Sequence, residues 1–261
     1  MTKQPYSLMK NSPWPIILSF SLFNMMSMCI MYMYKYNMSM LFMMMNSTIM
    51  LLNCYQWWRD MNRESTFQGM YTYIMMNNYK LSMITFIMSE ILFFISFFWC
   101  FFHFYLSPDI EIGLNWPPSG ITPFNPYSIP LLNTMILLSS GFSLTWSHHS
   151  IITKNYNMAL YSLLLTIIMG IIFTMTQMYE YMQASFCLND SNFGSIFYLS
   201  TGFHGVHVII GTLFLMVNMF RMYMMYFNKK NHFSFEAAAW YWHFVDVIWI
   251  MLYSMMYWMI F

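Results

Sequence analysis

"WPIILSFSLFNMMSMCIMYMY", residues 14–34, runs from end to end without a charged side chain. A helix needs about 20 consecutive apolar residues to cross a hydrocarbon core about 30 Å thick, so this stretch reads as a membrane span. The pattern then repeats along the chain. After Lys35 comes 38–58 (MSMLFMMMNSTIMLLNCYQWW), then 81–106, broken only by Glu90 and His103. Residues 128–153 and 155–179 are separated by Lys154 alone, and further apolar stretches run from about 191 to 220 and from about 237 to 260. The reading is an all-α, polytopic integral membrane protein with seven transmembrane helices.

Composition agrees. Of 261 residues, 59% are hydrophobic and 7% are charged, and mean hydropathy is +0.49, whereas soluble domains are roughly 45–50% apolar. The net charge of +1, with the basic residues scattered, excludes a nucleic-acid partner, which needs clustered Lys and Arg against phosphate. Cys29, Cys54, Cys100 and Cys187 are too far apart to form a local redox pair or zinc cluster and read as small buried hydrophobes. The 34 methionines stand where Leu and Ile usually fill helices; adaptable packing is their expected role rather than a metal pathway.

Between the third and fourth spans, DIEIGLNWPPSGITPFNP (109–126) carries four prolines and two glycines and reads as an ordered surface loop. The expected organisation is 1–58 for helices 1 and 2, 59–80 for a polar connection, and 81–261 for a five-helix bundle, all in one integral unit. Lys and Arg counts near span ends orient the chain. With the N-terminus inside, Lys3, Lys10, Arg59, Arg63, Lys80, Lys154, Arg221, Lys229 and Lys230 fall inside, and Lys35 alone falls outside, beside Asp109, Glu111 and Asp190. Seven crossings then place Phe261 outside. No cleavable signal or Arg-rich transit peptide precedes the first span, which implies direct insertion.

The polar residues are few enough to question one by one. WWRDMNRESTFQG (57–69) gathers Arg59, Asp60, Arg63 and Glu64 at the inner end of the second span. Arg59 and Arg63 share a helical face, Asp60 and Arg63 are spaced to pair, and Trp57 and Trp58 suit the interface. This is either an interfacial anchor or a phospholipid headgroup site in which Arg meets phosphate. Glu90 is a carboxyl among apolar neighbours, and a lone carboxylate makes no proton pathway. His204 and His207 share one face of the sixth helix, and His243 and Asp246 share one face of the seventh. Interhelical hydrogen bonding is the expected role for these four, rather than metal or haem ligation, because no HExxH or Glu-x-x-His pair exists and His148 and His149 point in different directions. Gly202, Gly205 and Gly211 are expected to let the sixth helix approach a neighbour. With no nucleophile–base pair, Walker loop or dinucleotide fingerprint, no catalytic centre of its own is expected.

WWRDMNRESTFQG (57–69), SEILFFISFFWCFFH (89–103), NWPPSGI (115–121), PLLNT (130–134), WSHHS (146–150), GSIFYLSTGFHGVHVIIG (194–211) and FEAAAWYWHFVDVIW (235–249) together resemble cytochrome c oxidase subunit III of mitochondria, in order and at matching spacing over nearly the whole chain. The resemblance implies a non-redox core subunit of the terminal respiratory oxidase, which passes electrons from cytochrome c to oxygen and pumps protons. Haem a and copper then belong to partner subunits, and this chain binds no cofactor beyond structural phospholipids. The implied partners are subunits I and II, accessory subunits, membrane phospholipids and respiratory supercomplexes. The implied place is the mitochondrial inner membrane, N-terminus in the matrix and C-terminus in the intermembrane space. The implied fold is a V of two arms, helices 1–2 and 3–7, with phospholipids in the cleft.

Carried over by motif, the implied lipid contacts are Trp58, Arg63, Glu64, Phe86 and Arg221, and Glu90 matches the family's carbodiimide-reactive carboxylate, which the chemistry does not need. The chain departs from the pattern at Met70 and Tyr71, where FQGHHT is common, and at Gln183 and Ser185, where EYYEAPF is common. Two other classes are weaker readings. A stand-alone transporter or proton channel needs a chain of ionisable groups across the bilayer, and a membrane metalloenzyme needs His204, His207 and His243 at one metal.

Overall fold

The computed structural model describes residues 11–69, 71–110, 113–228 and 232–261. Lys3, Lys10, Met70, Glu111, Lys229 and Lys230, used above, lie outside the described residues. Seven α-helices follow in order: α1 Trp14–Met33, α2 Ser39–Thr66, α3 Tyr73–Leu106, α4 Ile129–Ile152, α5 Tyr156–Gln183, α6 Asn192–Tyr223 and α7 Phe233–Leu252, the last continued by a π-helical turn at Tyr253–Trp258. Five of them, α1, α3, α4, α5 and α6, are long and apolar enough to cross a membrane by length and composition alone. In α2 the amides Asn46, Asn53 and Gln56, and in α7 Glu236, His243 and Asp246, dilute the apolar run. The chain is a multi-pass membrane protein.

The helix ends follow local chemistry. Prolines sit in the first turns of α1 and α4, where a missing N–H costs nothing. The Asn155 side chain accepts from the Met158 N–H at the start of α5, and Ser191 Oγ accepts from the Gly194 N–H, 3.2 Å away, at the start of α6. Lys154 turns the chain from α4 into α5 with φ of 64°, a left-handed conformation. The polar segment expected over 59–80 is largely helical: α2 runs on to Thr66 and α3 begins at Tyr73. Its Arg, Glu, Met and Gln residues favour helix, and the spaced charges pair along one turn.

The chain divides into two compact units, Met1–Tyr79 and Lys80–Phe261. In the first, α1 and α2 lie side by side. Asn46 Nδ2 donates to the Ser21 carbonyl at 2.9 Å, and Trp14 Nε1 donates to Asp60 Oδ2 at 2.8 Å. Most other side chains of this pair are exposed, Phe20, Phe23, Leu51 and Leu52 among them.

The second unit has a continuous core of Phe94, Phe101, Leu144, Leu163, Phe173, Trp242 and Trp249, all fully buried. Polar side chains cross its helix pairs. Trp242 Nε1 donates to Ser140 Oγ at 2.8 Å (α7 to α4), Ser147 Oγ to the Ala159 carbonyl at 3.0 Å (α4 to α5), and Ser234 Oγ to Asn218 Oδ1 at 2.7 Å (α7 to α6). The proline-rich loop does not simply cover the surface. Trp116 stacks on Phe104 with ring centroids 6.3 Å apart, Phe124 on Phe197 at 5.7 Å, and Pro118 is buried.

The close approaches differ from the expectation. A methyl group on Gly211 would meet the Trp242 ring at 3.0 Å, whereas Gly205 has nothing within 4 Å and Gly202 only the Tyr181 hydroxyl at 4.0 Å. Among the described residues, no helix approaches α6 closely at Gly202 or Gly205. The tightest helix crossing is at Gly170 of α5, where a methyl would run into Thr212 and come within 2.7 Å of Trp242. Gly170→Ala should therefore lower stability by about 1–3 kcal/mol through overpacking. Gly205→Ala should be neutral or stabilising, since Ala is up to about 1 kcal/mol better than Gly inside a helix. Thermal unfolding of the two variants side by side checks the contrast, and equal effects would contradict it.

Candidate functional site

The charged stretch that ends α2 is organised around Asp60. Its Oδ1 accepts from Arg59 Nε and Nη2, both at 3.2 Å, and lies 3.9 Å from Arg63 Nη1, while Oδ2 accepts from Trp14. The spacing argument found the Asp60–Arg63 pair, but the shorter contact is to Arg59, and the indole partner was missed. A tryptophan at a helix start forty-six positions away leaves no periodic signal. The consequence is a division of labour. Arg59 is engaged by Asp60, whereas Arg63 is 57% exposed, Trp58 is 62% exposed, and Glu64 beside them is half-buried.

The Trp14 hydrogen bond, followed by the Arg59 guanidinium, holds the Asp60 carboxyl below its ordinary range in spite of the partial desolvation that opposes them. A carboxylate with a depressed folded-state pKa stabilises above its unfolded pKa, and that contribution is lost as pH falls through the folded value. Titration followed by the Trp14 indole N–H resonance should therefore show a midpoint below the ordinary carboxylate range, and Trp14→Phe should move the Asp60 midpoint upward. An unshifted Asp60 in the variant would contradict this.

In the second unit the remaining candidates separate into distinct places. Glu90 on α3 is not isolated, because its Oε2 lies 3.0 Å from His207 Nε2 on α6. His207 Nδ1 donates to the Phe203 carbonyl at 2.7 Å, so the Nε2 contact must hold one further proton shared with Glu90. His204 Nε2 donates to the Val245 carbonyl on α7 at 3.3 Å and its ring faces Trp249. His243 Nδ1 is 3.7 Å from Asp246 Oδ2, and that carboxylate lies against Gly141 of α4. Phe86 is half-exposed and stacks with Tyr241 at 6.4 Å. The Arg221 guanidinium, in the last turn of α6, sits over the Phe227 ring at 5.3 Å. Of the three departures from the motif pattern that fall on described residues, Gln183 ends α5, Ser185 hydrogen-bonds Thr122 of the proline-rich loop, and the Tyr71 ring lies 5.2 Å from that of Tyr79.

His204, His207 and His243 do not converge on one point. Among the described residues, the one group of three His, Cys, Asp or Glu side chains spaced to share an ion is His148, His232 and Glu236, outside that set. Among the described residues, the transmembrane carboxyl of Glu90 pairs with His207.

Comparison with known proteins gives the class. The family model for cytochrome c oxidase subunit III matches residues 4–260. The chain belongs to that family. Cytochrome c oxidase subunit 3 of Rhipicephalus sanguineus is 51% identical over 258 residues, 99% of this chain and all of that protein. The subunit 3 proteins of Paracentrotus lividus and Drosophila melanogaster are 50% and 48% identical, with 98% of this chain and 97% of theirs aligned. The resemblance read from the motifs is thereby established. This is a core subunit, without a redox centre of its own, of a multi-subunit oxidoreductase, and a stand-alone transporter is not favoured.

The Glu90–His207 contact joins α3 to α6. A hydrogen bond between helices in lipid contributes about 1 kcal/mol. Glu90→Leu strands His207 Nε2 without a partner and should lower the melting temperature of the complex, whereas Glu90→Gln, able to bond the imidazole, should lower it less, with the initial rate of oxygen uptake unchanged in both. A fall in initial rate for Glu90→Gln would contradict a purely architectural pair.

Proposed function

We propose that this chain sustains turnover of cytochrome c oxidase rather than catalysing it, by packing against the catalytic subunit and by holding phospholipids through cationic residues at the membrane interface. The observation that carries the lipid part is the state of Arg63: among the described residues its ion-pair partner Asp60 is 3.9 Å away and already engaged by Arg59 and Trp14, and the guanidinium is exposed, as is Trp58 in the same end of α2. A guanidinium binds phosphate with two parallel hydrogen bonds, and a neighbouring indole sits at headgroup depth. Arg221 at the end of α6 offers a second guanidinium near an aromatic ring, with Phe86 as a half-exposed apolar surface for acyl chains. Trp58 and Glu64 complete the proposed headgroup contacts, the carboxylate facing a headgroup amine.

In the same reading the subunit lies in the mitochondrial inner membrane with its N-terminus in the matrix, as the concentration of Lys and Arg on one side favours. Subunits I and II are its immediate partners and hold haem a and copper. Accessory subunits and respiratory supercomplexes are further partners. The exposed apolar surfaces of α1 and α2, on which Phe20, Phe23 and Met33 are more than 60% exposed, suit lipid or a partner helix.

The experiment is the double variant Arg63→Ala with Arg221→Ala in the purified complex. Phospholipid retained per haem should fall and the oxidase should lose activity sooner during continuous turnover, while its initial rate stays the same. Unchanged lipid content together with unchanged lifetime would refute the lipid role.

A further inference from the structure

His148 lies near the end of α4, His232 caps the start of α7, and Glu236 is in the first turn of α7. One ligand atom from each lies within 4.8 Å of those of the other two. The hydrogen bonds around them are unusual in what they leave over. His232 Nδ1 donates to the Asn228 carbonyl at 3.1 Å, which leaves Nε2 with its lone pair, yet Nε2 lies 3.2 Å from Glu236 Oε1. Two acceptors at that distance need a cation between them, either a proton or a metal ion. His148 Nε2 is buried with no hydrogen-bond partner among the described residues, and the His148 ring is fixed against Phe235 and 5.5 Å from that of His232. On the far side of the cluster Lys80, at 3.5 Å, holds the other carboxylate oxygen, Oε2.

We propose that His148, His232 and Glu236 form a binding site for a divalent transition-metal ion, zinc by preference, that fastens the end of α4 to the start of α7. Two imidazoles and one carboxylate are a ligand set suited to zinc, which takes nitrogen and oxygen ligands at about 2.0–2.2 Å in a tetrahedron. Such a tetrahedron keeps its ligand atoms about 3.3 Å apart. The His232–Glu236 contact already has that spacing, and closing the rest of the site takes a modest movement of side chains. The supporting contacts are those that metal-bound histidines and carboxylates commonly have: a backbone carbonyl on the remote nitrogen of His232 and an ammonium on the remote oxygen of Glu236. A fourth position stays open to water. The ion is architectural, replacing the single proton of the His232–Glu236 contact with bonds that reach three side chains and bring in the otherwise unpartnered nitrogen of His148. This proposal is independent of the lipid reading.

The test uses the assembled complex, stripped with a chelator, re-equilibrated with Zn2+ alone at micromolar concentration, and freed of excess metal. Zinc per haem, measured by plasma mass spectrometry, is compared among the unmodified complex, His148→Gln, His232→Gln and Glu236→Gln, with His103→Gln on α3 as a control. We expect the unmodified complex and the control to hold one zinc equivalent more than each of the three variants. The zinc X-ray absorption difference should contain two imidazole nitrogens and oxygen at about 2.0–2.1 Å. Equal zinc in the unmodified complex and in variants that assemble overturns the site. The absorption spectrum of the unmodified complex decides the matter if a variant fails to assemble: added zinc without an imidazole pair also overturns it.

Discussion

Between helices immersed in hydrocarbon the hydrophobic effect offers no net attraction, since lipid tails are as apolar as leucine; helices stay together through close van der Waals fit and through polar groups that need a partner. That constraint runs through the second unit. Trp242 ties α7 to α4 through Ser140, packs where Gly170 and Gly211 remove side chains from α5 and α6, and is itself fully buried. His204, His207 and Glu90 each spend a polar atom on a neighbouring helix. Among the described residues, His204 thus joins α6 to α7, and His207 with Glu90 joins α6 to α3.

The fold was legible because the period of apolar runs is set by bilayer thickness, which leaves seven stretches and few ways to read them. Helix limits were less so. The charges of Arg59, Asp60, Arg63 and Glu64 suggested a break from membrane helix to connection, yet Asp60 pairs with Arg59 and Arg63 and α2 continues to Thr66. The proline-rich loop was read correctly as non-helical, but its packing through Trp116 and Phe124 depends on which core faces surround it, and no local pattern encodes that.

The site residues show the same division. Glu90 could be singled out for its burial cost, but its partner His207 lies more than a hundred positions away. His232 and Glu236 stood four apart in the sequence and were a readable pair; His148 reaches them only through the packing of α4 on α7. Glu180 drew no notice within its motif and is fully buried beside Gln177 and Tyr257. Pairings along one helix are visible in sequence at i,i+3 and i,i+4, whereas pairings between helices need the fold first. So His204 and His207 of α6 bond across to α7 and α3, partners that no local spacing reveals, whereas His243 of α7 stays with Asp246 on its own helix.

In the proposed reading, this core subunit influences catalysis by holding shape and lipid around a redox centre that sits elsewhere. The most direct measurement compares the oxidase with and without this subunit, recording the reduced-minus-oxidised haem spectrum and oxygen uptake over continuous turnover in the same preparations. The account predicts an unchanged haem spectrum and a similar initial rate in its absence, with activity decaying sooner. Loss of haem or copper absorbance in proportion to removal of the chain would contradict it.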